Sequence, residues 1–144
     1  MEFHFRRATM LDLERLLQWR NDSFTRQNSI NTEPVQRETH ERWLKASLEN
    51  RKRKLYIAEI SGEPVGTVRL DQQESGWELS WTVAPAARGK GIGKRMVKEA
   101  TNLITGNLTA RVKDGNLASV RIAEYAGFHP VSRSGELVIF CLKR

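Results

Sequence analysis

Apolar and polar residues alternate over Phe3-His4-Phe5-Arg6-Arg7, the period of a first strand. Thr9 then stands three residues before Asp12, a helix-cap signature, and Leu13, Leu16 and Leu17 recur at helical spacing to about Trp19-Arg20. The polar, Asn-rich segment from Arg20 to Pro34 reads as a connecting loop with little regular structure. Thr39 to Leu48 is a second amphipathic helix, with Trp43, Leu44 and Leu48 as its apolar stripe. Lys54–Ile60 and Val65–Leu70 form a hairpin about Ser61-Gly62-Glu63-Pro64, and Trp77–Val83 follows as a third successive strand. A helix runs from the glycine-rich turn to about Ile104, then come a strand at Leu108–Val112 and a helix at Leu117–Ala126, ended by Gly127. Val131 and Glu136–Leu142 close the chain as strands about Ser134-Gly135. The order is β-α-α-β-β-β-α-β-α-β-β, which predicts an α/β (α+β) fold with a mixed sheet and helices on its faces.

At 144 residues this is the size of one domain, 1–144, and 39% hydrophobic with 28% charged residues fits a folded protein. No apolar run approaches the roughly 20 residues of a membrane span, and the N-terminus lacks a signal peptide's apolar stretch. The one cysteine, Cys141, can form no internal disulfide and lies in an apolar run that reads as core; a cytoplasmic location is expected. The net charge of +7 suits either nucleic acid or a strongly anionic small ligand.

The densest chemistry lies at Val83-Ala84-Pro85-Ala86-Ala87-Arg88-Gly89-Lys90-Gly91-Ile92-Gly93-Lys94-Arg95. Three alternate glycines join a strand to a helix, so bare backbone N–H groups meet the positive end of a helix dipole. Four cations, Arg88, Lys90, Lys94 and Arg95, surround that turn, and a phosphate or pyrophosphate is the ligand it suits. A Walker loop is excluded, because Arg95 stands where Ser or Thr must follow Gly93-Lys94; the dinucleotide fingerprint is excluded by Lys94 at its third glycine. What remains is Arg-x-x-Gly-x-Gly at Arg88, Gly91 and Gly93. With Asn116, Ser119, Gly127 and Phe128 at a second matching spacing, the chain resembles the GCN5-related N-acetyltransferases (the GNAT superfamily) over nearly its whole length.

The resemblance implies a mostly antiparallel sheet of about seven strands with about four flanking helices. It also implies acetyl-coenzyme A as co-substrate and no metal. The pyrophosphate would sit on Arg88, Gly89, Lys90, Gly91, Ile92, Gly93 and Lys94, with Trp81 and Val83 along the pantetheine arm and Asn116 and Ser119 beside it. The Val83 N–H is the family-like group for polarising the thioester carbonyl. On the strand, Glu78, Ser80 and Thr82 share one face, and Glu78 is the carboxylate placed to meet a cleft and act as base; a salt-bridged structural glutamate is the plain alternative. Where many relatives carry an acid tyrosine this chain has Ala123, and Tyr125 lies about 200° further round the helix. Ser119 is the substitute acid. Trp19-Arg20-Asn21 and His40-Glu41-Arg42-Trp43 resemble the branch acting on nucleotide-linked 4-amino sugars, and also ribosomal-protein acetyltransferases. Arg20 and Asn21 would then bond a sugar or phosphate, and His40 and Trp43 would wall the acceptor groove; otherwise Trp43 is core and His40 surface.

The partner expected is thus a small amine, nucleotide-linked or not, bound by a monomer or homodimer without a membrane. Two other readings stand beside it. A basic nucleic-acid-binding domain would need cations interleaved with aromatics, whereas here they cluster at Arg6-Arg7, Arg51–Lys54 and Arg88–Arg95. A coenzyme-binding protein without catalysis draws on Ala123.

Overall fold

The cap signature at Thr9 forms in the structure, a computed structural model that describes residues 2–144. Leu11 N–H donates to Thr9 Oγ1 at 3.2 Å, and Thr9 N–H donates to Asp12 Oδ2 at 2.9 Å. Asp12 is only 1% exposed, and it also receives Arg6 at 2.7 and 2.9 Å and Arg15. This one carboxylate therefore joins the first strand to the first helix.

The strands are β1 (Phe3–Arg7), β2 (Arg53–Ile60), β3 (Glu63–Gln73), β4 (Gly76–Val83), β5 (Leu108–Lys113), β6 (His129–Ser134) and β7 (Leu137–Leu142). They make one sheet in the order β1-β2-β3-β4-β5-β7-β6. Only β4 and β5 run parallel; every other neighbouring pair is antiparallel. The helices are α1 (Leu13–Asn21), α2 (Ser23–Gln27), α3 (Arg37–Glu49), α4 (Ile92–Ala100) and α5 (Leu117–Tyr125). The expected order of elements holds, with one addition. Asp22 ends α1 and caps a further short helix, accepting Thr25 N–H at 3.1 Å, so α2 occupies part of the segment read as loop.

The core lies on both sides of the sheet, with Leu55, Ile57, Val68, Leu70, Leu79 and Leu108 buried along its central strands. Helix α4 presents Met96, Val97 and Ala100 to it, and α5 presents Ala123. Cys141 is half-buried rather than fully core. Helix α4 stops four residues short of the expected Ile104. Thr101 Oγ1 donates back to Lys98 O at 2.7 Å, and Arg144 donates to the Thr101 and Ile104 carbonyls at 2.6 and 2.9 Å. The carbonyls just beyond the helix thus find a cation instead of another helical turn. None of the described helices is long and apolar enough to cross a membrane.

Burial alone would push the Asp12 carboxyl up, but the hydrogen bonds from Arg6, Thr9 and Arg15 outweigh it and hold Asp12 at about 2, against an ordinary 3.8. A depressed carboxylate stabilises the fold above its unfolded value, and this is lost as pH falls towards the folded one. About 2 kcal/mol is therefore expected to disappear between pH ~4 and ~2. Asp12→Asn should lower the melting temperature at pH 7 and converge on the wild type near pH 2. Melting curves that stay a constant distance apart across that range would contradict this account.

Candidate active site

Helix α4 starts on a left-handed residue, Gly91, at φ +74°, after Gly89 at φ +76°. A residue with a Cβ resists this conformation, and nothing lies within 4 Å of where either Cβ would sit, so the turn shows bare backbone to open space. Arg88 N–H donates to Pro85 O, and Arg95 N–H makes the first helical bond, to Gly91 O at 3.3 Å. Between them the six N–H groups of Gly89 to Lys94 find no acceptor among the described residues. Gly93 serves packing: a Cβ there would come within 2.7 Å of Ile122 and 3.0 Å of Val83. It seats the turn against both β4 and α5.

Beside this turn the sheet opens. β4 and β5 pair only at Trp77–Leu108 and Glu78–Thr109, although each strand runs on for several residues. Trp77 N–H points to the β5 side, bonding Asn107 O at 3.0 Å, and Ala84 N–H points to the β3 side, bonding Val65 O. Alternation then turns the N–H and C=O groups of Trp81 and Val83 towards the gap left by β5. Trp81 also crosses that gap with its side chain. Its Nε1–H donates to Ser119 Oγ at 3.3 Å, while Ser119 N–H donates to Asn116 Oδ1 at 3.2 Å at the start of α5. Because Ser119 Oγ accepts from Trp81, its own proton is free to be given elsewhere. Asn116 borders a second, open cleft of about 550 Å³ between α2 and the β5–α5 loop.

On the other face of the sheet, a cavity of about 320 Å³ reaches from Ser80, Trp81 and Thr82 of β4 to α1 and α3. Its walls are Trp19, Leu16, Val35, Leu55 and Trp43 with Thr39, Thr67, Arg20, Arg69 and His40 among them. His40 is 3% exposed and its ring stacks on Trp43 at 5.4 Å. Its Nε2 has no partner. Burial pushes His40 below the ordinary histidine value, a hydrogen bond to the Leu13 backbone pulls it up, and the charges of Arg20 and Arg37 push it down again. The ring is therefore neutral at pH 7, with a lone pair to offer.

Three expected placements change in detail, at Glu78, Arg88 and Asn21, and one alternative, a surface His40, drops out. Glu78 does not line the cavity; Arg111, on β5, donates to its carboxylate at 2.5 and 3.4 Å. It is the salt-bridged glutamate of the plain alternative, fixed just where the β4–β5 pairing ends. The Arg88 side chain is turned from the glycine turn to α2, reaching Asp22 Oδ2 at 2.5 Å and Thr25 Oγ1 at 2.9 Å over the ring of Phe24. Asn21 spends its amide on the Val35 main chain, giving and receiving bonds of 2.8 Å. His40 is a buried wall residue, not a surface one. Ala123 is wholly buried, and Tyr125 is half-exposed with its ring under Lys94 and Lys98. The contribution of Ser80 and Thr82 to the cavity was readable from strand alternation with Glu78, and only the cavity's position singles them out.

Residues 2–129 match the family described as "Acetyltransferase (GNAT) domain". The chain belongs to the GNAT acetyltransferase family, which makes it an acyltransferase. No curated protein sequence matches it. Solved structures share its fold. The aminoglycoside acetyltransferase AAC(6')-Ib in complex with coenzyme A is 21% identical with a TM-score of 0.82, over 99% of this chain and 95% of that one. Spermidine N-acetyltransferase from Vibrio cholerae, in complex with coenzyme A and spermine, is 17% identical with a TM-score of 0.86, over 98% and 95%. RimL, a ribosomal L7/L12 alpha-N-protein acetyltransferase, is 13% identical with a TM-score of 0.84, over 98% and 93%.

Two variants separate backbone shape from ligand charge at the turn. Gly91→Ala is expected to cost about 1–2 kcal/mol of stability through its left-handed backbone while keeping coenzyme A binding. Gly91→Asp adds a carboxylate among the free N–H groups, and calorimetry should show coenzyme A affinity at least about tenfold lower. Unchanged affinity in a folded Gly91→Asp protein would move the pyrophosphate off this turn.

Proposed function

We propose that residues 1–144 act as one N-acetyltransferase domain that moves the acetyl group of acetyl-coenzyme A to a small primary amine. The observation that carries it is the adjacency of two features: the open edge of β4 beside six free N–H groups, and a cavity that touches the same strand at Ser80–Thr82. The first fits a phosphate-bearing thioester, and the second a compact acceptor. Coenzyme A supplies an activated carbonyl when bound. The turn's N–H groups with Lys90 and Lys94 would hold its pyrophosphate, and the Trp81 and Val83 edge its amide-bearing arm. The Val83 N–H would polarise the carbonyl oxygen as charge builds there.

Acceptor amines must lose a proton to attack. His40 Nε2 is the unoccupied base in the cavity wall, and it takes the role first read at Glu78. The C–N bond forms as the C–S bond breaks, the amine proton passes to His40 and on to solvent, and Ser119 Oγ–H lies ready for the leaving thiolate. Among amines, a nucleotide-linked 4-amino sugar is the acceptor first to be tried, since Arg20 in the cavity wall offers a guanidinium to its phosphates. RimL acts on a ribosomal protein and AAC(6')-Ib on aminoglycosides, so peptides and aminoglycosides belong in the same screen.

Thiol release from acetyl-coenzyme A is expected with at least one amine of that screen, and absence of coenzyme binding would remove the proposal. His40→Ala should lower kcat/KM by about 10²–10⁴-fold with coenzyme affinity kept. A histidine held below its ordinary value stays neutral as pH drops to 6.5, so NMR of the His40 ring should show protonation only below that pH. Should Glu78→Gln, and not His40→Ala, abolish the acid limb of the rate profile, the base would be Glu78 after all.

A further inference from the structure

Three buried side-chain nitrogens lack any partner among the described residues: Arg20 Nη1, Arg26 Nε and His40 Nε2. They belong to one neighbourhood. Arg26 acts on the charge of Arg20, and Arg20 acts on that of His40. Arg20 gives its other terminal nitrogen to Asn31 O at 2.7 Å, a neutral partner. Burial first, and then the like charge of Arg26, hold its guanidinium below the ordinary arginine value. Elsewhere in this chain arginines meet carboxylates: Arg6 and Arg15 meet Asp12, Arg53 and Arg69 share Asp71, Arg88 meets Asp22 and Arg111 meets Glu78. Arg20 and Arg26 feel one another's charge, and neither meets a carboxylate among the described residues. Two half-buried, like-charged groups, each with a buried unmet donor, are costly unless an anion joins them.

The cavity's own inventory points the same way. It is walled by two arginines, Arg20 and Arg69, and by no aspartate or glutamate. Asp71 is shared by Arg69 and Arg53, so it leaves net positive charge near the wall. A polyamine or aminoglycoside would bring several ammonium groups into a space that repels each of them. A mono-amine with an anionic end gains at that end, and its amine is favoured in the neutral, reactive form.

We infer that Arg20, in the cavity wall and with the charge of Arg26 acting on it from α2, forms an anion subsite at the α1 end of the acceptor cavity, selecting a primary amine that carries a carboxylate or phosphate. This rests on the acetyltransferase reading above and narrows its acceptor. The anion lies on the Arg20 guanidinium, with Arg26 adding positive charge beside it, and the amine lies towards His40 Nε2 and β4. Bidentate guanidinium bonding suits carboxylate and phosphate alike, so kinetics must tell the sources apart.

The test pairs rates with binding. Amino acids, aminoalkyl phosphates and nucleotide-linked amino sugars are compared with kanamycin, spermine and uncharged amines as acceptors. Anionic acceptors are expected to give the highest kcat/KM, and the better of the carboxylates or phosphates names the source. In Arg20→Gln and Arg26→Gln the KM for the anionic acceptor should rise about ten- to thirtyfold with kcat nearly kept, as for loss of a charge-assisted contact. Arg20→Lys should rescue Arg20→Gln only in part. In parallel, inorganic phosphate is titrated by calorimetry into protein saturated with coenzyme A, which blocks the glycine turn. Binding by the wild type that Arg20→Gln/Arg26→Gln loses supports the subsite even if no acceptor in the panel reacts. Preference for spermine or kanamycin, or phosphate binding unchanged in the double variant, overturns it. Failure of coenzyme A itself to bind would instead sink the acetyltransferase reading.

Discussion

The site depends on a sheet that is closed at one end and open at the other. β4 and β5 are the one parallel pair, and parallel strands need a crossover, here α4. At the closed end Trp77 N–H bonds Asn107 O, and Arg144 ties the same loop through Asn107, Gly106, Ile104 and Thr101. The Glu78–Arg111 ion pair is the last tie before the strands part. Beyond it Trp81 and Ser119 span the gap by a side-chain bond in place of a backbone ladder. Backbone groups of a central strand are almost always paired, so an edge left open in mid-sheet marks a place for another chain-like partner. An amide-bearing coenzyme arm is such a partner.

The second constraint is the tie between the two halves of the site. Arg88 leaves the glycine turn and fastens it to α2 through Asp22, Thr25 and Phe24. The α1–α2 junction that carries Asp22 also carries Arg20 and Asn21, whose side chains hold the Asn31 and Val35 main chain at the cavity wall. The Asp22 carboxyl is held below the usual carboxylate range chiefly by the Arg88 hydrogen bond, so the tie is charged at neutral pH. Glycine turn and cavity wall therefore meet at one short helix, and a shift in either must be taken up by α2.

Much of this was legible in the sequence because it is local. Strand alternation, the Thr9–Asp12 cap and the glycine turn each lie within a few residues, where backbone geometry decides the outcome. The order of elements and the mostly antiparallel seven-stranded sheet agreed with a family resemblance carried by two motifs. What was not legible depends on partners distant in the chain. Glu78 alternates towards the cavity side as expected, but whether it faces space or a cation depends on Arg111, which is 33 positions away. Arg88 counted as a phosphate cation until Asp22, 66 positions earlier, claimed it. Helix α2 escaped because five residues with Phe24 as their one apolar member show no apolar period, and it is held by the Asp22 cap and by Arg88 instead. His40 had two readings, groove wall or surface, and the helix face it shares with Leu44 and Ser47 is the buried one, a fact that only packing against distant elements decides.

Where the cations end up also weakens the nucleic-acid reading. The net charge of +7 already sets 24 Lys and Arg against 17 Asp and Glu, and named guanidiniums are held in place by Asp12, Asp71, Asp22, Glu78, Asp114 and Glu14 rather than spread free over one face. Phosphate-backbone binding requires mobile cations spread over one exposed face. Here Arg20 in the cavity wall, and the N–H groups with Lys90 and Lys94 about the glycine turn, are donors that meet no carboxylate. Unmet buried donors cost roughly 1–3 kcal/mol each and add nothing to the fold. A chain that folds while carrying them gains that free energy back only when a small anion enters.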